Sequence, residues 1–200
     1  MVLFVIAHML GNLTIFASFI NAYAAHLHAL HVLLWIYRVI MIAVVVFHIV
    51  ISIQLTLENR AAKPQKYAMT KYRSATFAGV TMIWSGLLLL AFIIYYLLHF
   101  TIRITNPAIS NLVDALGRHD VYRMVVLSFE RGVITFVYAA AMIILFLHLN
   151  HGIQSFVQTM GWNDDRTLPV VQKTGSVMSA VLLLGFVAVP FTVIAGILTA

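Results

Sequence analysis

Long apolar runs recur along the 200-residue chain, separated by short stretches that hold most of its charge. A hydrocarbon core about 30 Å thick is crossed by a helix of roughly 20 residues. Runs of that length read as spans at about residues 1–20, 32–56, 75–101, 121–160 and 170–198. Charged residues make up 9% of the sequence and apolar ones 62%, with a mean hydropathy of +1.00. That leaves too little polar surface to cover a water-soluble globule, so lipid must serve as the main solvent. The expected fold class is an all-α integral membrane protein with five transmembrane helices, residues 1–200 forming one transmembrane domain.

The charges also set an orientation. The 57–74 loop carries Arg60, Lys63, Lys66, Lys71 and Arg73 against Glu58, with Pro64 marking a turn. The 102–121 loop balances Arg103 and Arg118 against Asp114 and Asp120. An excess of cations marks cytoplasmic loops, which puts 57–74 inside and 102–121 outside. The net charge of +6 sits in these flanking loops rather than on a soluble basic face, so nucleic acid is not an expected partner. Cysteine is absent, which excludes thiolate metal sites and iron–sulfur ligation by this chain. The stretch Asn21 to His31 mixes small, aromatic and histidine residues and reads as an interfacial helix. Pro190 is expected to kink the last span.

Nine histidines are the informative residues. Ionisable groups in lipid are costly and tend to face a bundle interior with a partner. His48 precedes Thr56 by eight residues and His148 precedes Phe156 by eight, which puts both about 12 Å below the inner ends of their spans. Two histidines at one level on neighbouring helices suit the two axial positions of a haem iron. A lone intramembrane histidine is also a common hydrogen-bonded contact between helices, and the matched depth is what favours ligation here. His26, His28 and His31 read as headgroup-level residues and His119 as a loop residue. A rival assignment is a membrane di-iron enzyme using His26, His28 and His31 together with His148 and His151, although the first group falls on the outer side. A transporter with purely structural histidines is another.

The motifs themselves resemble a family. The run HLNHGIQS at His148–Ser155, followed by QTMG at Gln158–Gly161, is similar to the HLxHGxxSxxQTLG signature of single-chain cytochrome b anchors of succinate dehydrogenases and quinol:fumarate reductases. The likeness extends to Ala7–Leu13, Asn21–Ala24, Leu57–Ala61 and Trp84-Ser85-Gly86, so it spans essentially the whole chain. It implies five helices, the first four forming a haem-binding bundle, with an inner haem b on His48 and His148 and an outer haem b on His8 and a histidine of span three. The sequence departs from the family at that last ligand: Tyr96 stands at the expected position and His99 follows three residues later, about 4.5 Å along the helix. Three outcomes follow: His99 ligates after a local shift, Tyr96 ligates or caps the iron, or the outer haem is absent; His99 is the favoured fourth ligand. The likeness further implies that residues precede Met1 and that helix one begins before it.

The implied role is a membrane anchor in the inner membrane of a prokaryote. It would pass electrons between an iron–sulfur subunit, itself served by a flavoprotein subunit, and a quinone, expected to be menaquinone. Both soluble subunits would dock on the cytoplasmic side, the whole complex could form a homo-oligomer, and no dicarboxylate chemistry is expected on this chain. Asn12, Arg38, Gln54 and Trp84 are polar candidates near the quinone, none carrying a motif of its own. An anchor of a hydrogenase or formate dehydrogenase is the alternative within the same chemistry.

Overall fold

The computed structural model describes residues 1–62, 76–162 and 164–200. Lys63, Pro64, Lys66, Lys71 and Arg73, on which most of the inner-loop charge rests, lie outside the described residues. The described residues are mostly helical, their one β-type contact being an isolated bridge between Val113 and His119. Without water to bond them, backbone polar groups in lipid must pair within their own segment, and the helix does this residue by residue.

The first helix, α1 (Val2–Leu13), tightens into a 3-10 turn at Thr14–Ala17 and stops at Ser18, whose φ of 54° is left-handed. A short helix, α2 (Ile20–Ala29), follows where the interfacial segment is expected. Next come α3 (His31–Ala61), the single turn α4 (Phe77–Val80) and α5 (Met82–Tyr96). α5 widens into a π-helical turn at Leu97–Thr101, closed by Ile102 N–H donating to Leu97 O at 2.7 Å. After the turn α6 (Pro107–Ser110), α7 (Val121–Phe129) leads into α8 (Gly132–Thr159), and α9 (Leu168–Ile194) ends the bundle.

Among the described residues four helices are long and apolar enough to cross a membrane: α3, α5 with its π turn, α8 and α9. The segment Val2–Ala17 is apolar but shorter than a span. The expected 121–160 helix is in fact two. Arg131 is extended (ψ 104°), and Thr135 Oγ1 donates to the Phe129 carbonyl at 2.6 Å, satisfying one group freed by the break. Asn106 steadies this corner, its amide oxygen accepting from both terminal nitrogens of Arg131 at 3.0 and 3.2 Å. α9 runs through Pro190 without interruption.

The cluster of buried side chains, Ile15, Ile20, Val126, Phe129, Tyr138, Val189 and Val193 among them, lies at the end of the bundle that the charge pattern is expected to turn outward, called the outer end below. Phe92, Tyr95, Tyr96 and Phe100 of α5 and its π turn pack against that core. α3 is different: it has no buried residue at all. A helix so loosely seated has its apolar faces free for lipid or for something held between it and the bundle.

Candidate functional site

His48 lies seventeen residues into α3 and His148 sixteen into α8, so the equal depth expected from sequence is present in the helices themselves. Their rings meet across the two helices, centroids 6.2 Å apart and planes at 80°. A metal–imidazole bond is about 2.0 Å, so two imidazoles facing one metal from opposite sides have centroids roughly 6 Å apart. The observed spacing is that of two imidazoles on one metal, and it is also the spacing of an edge-to-face ring contact.

Donor accounting decides which nitrogen of His148 is offered. Ser85 Oγ donates its single proton to Met82 O at 2.9 Å, and the same oxygen lies 3.1 Å from His148 Nδ1. With that proton on Met82 O, Ser85 accepts an Nδ1–H, and the tautomer that results has an unprotonated Nε2 with its lone pair available. A hydrogen bond to the rear nitrogen is how metal-ligating histidines are usually held. Gly86 completes the arrangement, since a Cβ there would stand 3.4 Å from His148 Cε1. Ser85 and Gly86 both belong to the Trp84-Ser85-Gly86 motif. Their role depends on a cross-helix distance, so the motif marks them without explaining them.

The same seam continues toward the inner end. His151 lies against Gly79, where a Cβ would come within 2.9 Å of His151 Cε1. Beside it Asn150 Oδ1 accepts from Gln154 Nε2 at 2.8 Å and from Ser176 Oγ at 2.9 Å, tying α8 to α9. The HLNHGIQS run thus presents a polar stripe, with two glycines opposite its two histidines.

The outer pair is arranged otherwise. His8 Nε2 and the Tyr96 hydroxyl are 3.0 Å apart, and the His8 ring is flanked by Phe4, Tyr96 and Phe186. His99, 1% exposed, bonds through Nδ1 to the Tyr138 hydroxyl at 2.9 Å and stacks on Phe100 at 4.2 Å. The structure joins His8 to Tyr96 and His99 to Tyr138, and does not join His8 to His99.

His26, His28 and His31 are exposed, and His28 Nδ1 contacts Ala24 O of its own helix at 2.8 Å. Among the described residues no group of three or more His, Cys, Asp or Glu side chains is placed to share a metal ion, so the two histidine boxes of a di-iron site do not converge. His119, outside the spans, is half-buried, and burial pushes its pKa down. Three of the four polar residues expected near a quinone have partners on their own helix. Asn12 donates to His8 O, Gln54 to Glu58, and Arg38 lies 5.2 Å over the Trp35 ring, while Trp84 is exposed.

No family model matches the chain, and no curated protein or solved structure is similar enough to it to count as a match. The likeness to the cytochrome b anchors therefore rests on the motifs quoted above.

Proposed function

We propose that this chain is a b-type cytochrome membrane anchor that uses His48 and His148 as the axial ligands of one haem b. The observation that carries this reading is the 6.2 Å ring spacing, with Ser85 engaging His148 Nδ1 and so presenting Nε2. Haem b when bound would supply reversible one-electron transfer. His48 and His148 would fill both axial positions from the protein, which leaves no open site for substrate and favours electron relay over chemistry at the metal. Ser85 fixes the tautomer and rotation of the His148 ring, and Gly86 leaves room for it. α3, which has no buried residue, supplies His48.

In this reading Val2–Ala17 is the first of five membrane segments, and the chain belongs to a succinate:quinone oxidoreductase in a prokaryotic inner membrane. An iron–sulfur subunit and a flavoprotein subunit would dock on the cytoplasmic side, and a membrane quinone such as menaquinone would exchange electrons with the anchor. The motif resemblance supports this assignment.

The test is optical. The purified chain, in detergent and supplied with haem during expression, should give the reduced-minus-oxidised spectrum of a six-coordinate b-type cytochrome. A soluble naphthoquinol should reduce it. Absence of any b-type band overturns the haem reading; a band that no quinol reduces overturns the quinone assignment.

A further inference from the structure

We infer that the chain holds one haem rather than two, because Tyr96 closes the outer half of the bundle by occupying the nitrogen of His8 that an iron would need. The inference rests on the reading that His48 and His148 hold the inner haem, and concerns only what lies outward of it.

The two candidate sites differ atom by atom. At the inner site the hydrogen bond to His148 falls on Nδ1, at the rear of the ring, and Nε2 is left for a metal. At the outer site it falls on Nε2 of His8, 3.0 Å from the Tyr96 hydroxyl. An imidazole whose outward nitrogen already faces a hydrogen-bond partner cannot coordinate without losing that bond, and a buried Tyr hydroxyl would then be left unpaired.

The supposed partner is turned elsewhere. His99 sits in the π-helical turn that begins directly after Tyr96, and its ring lies between Phe100 and Tyr95 with Tyr138 on its Nδ1. Single wide turns of this kind re-aim the side chains they carry. Here the result is a histidine that completes the outer aromatic core. The room is taken as well: Tyr96 and Tyr138 rings are 6.4 Å apart, and Phe92 contacts both, at 6.3 and 5.0 Å. A second porphyrin would have to displace this cluster as well as break two hydrogen bonds, one part-buried and one buried. Tyr96 thus acts as a plug: it satisfies His8 and fills the slot at once.

The experiment counts haem per chain by pyridine haemochrome against amino-acid analysis, on the wild type and on His8→Gln, His99→Gln and His148→Leu. The expected count is one in the wild type and in both Gln variants, falling to near zero in His148→Leu. A redox titration of the absorbance should follow a single one-electron step. Two haems per wild-type chain, two resolved steps, or loss of half the haem in either Gln variant overturns the inference while leaving the inner site standing. No haem in the wild type overturns the inner site and the inference with it. Should a Gln variant fail to fold, the wild-type count and titration decide alone.

Discussion

Ser85 shows how little separates a packed histidine from a ligand. Its hydroxyl lies within hydrogen-bond distance of both Met82 O and His148 Nδ1, and when its proton goes to its own helix it accepts from His148 and selects the tautomer with a free Nε2. Outer-shell partners of this kind typically tune metal affinity by about 10–100-fold. Ser85→Ala should therefore weaken haem binding by about that factor, with Ser85→Thr retaining most of it; haem transfer to apomyoglobin, followed optically, measures the loss. Equal transfer rates in wild type and Ser85→Ala would show that Ser85 does not support the ligand. The depth of His48 and His148 could be read from sequence because helical rise is constant and the spans are bounded by charge. The roles of Ser85, Gly86 and Tyr96 could not, since each depends on which residue of another helix stands opposite.

Among the elements, the long apolar helices were legible from hydropathy alone, and α3, α8 and α9 begin and end within a few residues of the expected spans apart from the break in span four. The departures have local causes. α1 is cut short by the left-handed Ser18, and span four is split where the charged pair Glu130 and Arg131 falls between two apolar stretches. Neither residue type by itself forces such a stop. The outer turn before α7 is held by Asp114, whose carboxylate accepts from the Leu116 and Arg118 amides, each at 2.9 Å, and from the Arg118 guanidinium at 2.8 Å. The Arg118 side chain is the main reason its pKa lies below the ordinary 3.8, with the backbone donors adding to it. A depressed carboxyl pKa stabilises the turn above 3.8, and that contribution is lost as pH falls through the lower, folded value. Carboxyl ¹³C shifts of Asp114 should titrate below 3.8, and the Leu116 and Arg118 amide resonances should move with the same midpoint. A midpoint at or above 3.8 would contradict this hydrogen-bonded turn.

Taken whole, the molecule is packed unevenly, and the unevenness is the clue to its use. One end is filled by a core of mostly aromatic and β-branched side chains drawn from the 3-10 turn after α1 and from α2, α5 with its π turn, α7, α8 and α9. Toward the inner side α3 contributes no buried residue, yet it carries one of the two facing histidines. Close packing holds helices together in lipid, where no hydrophobic force acts between them. A helix that lacks such packing needs another tether, and a metal bridging His48 to His148 would provide one. The most direct test is the coordination state of the bound haem in the wild type and in His48→Leu and His148→Leu, read by absorption and electron paramagnetic resonance of the ferric protein. The account predicts a low-spin, six-coordinate haem in the wild type, and loss of that signal, to high-spin or to no haem, in each variant. A low-spin haem that persists unchanged in either variant would contradict it.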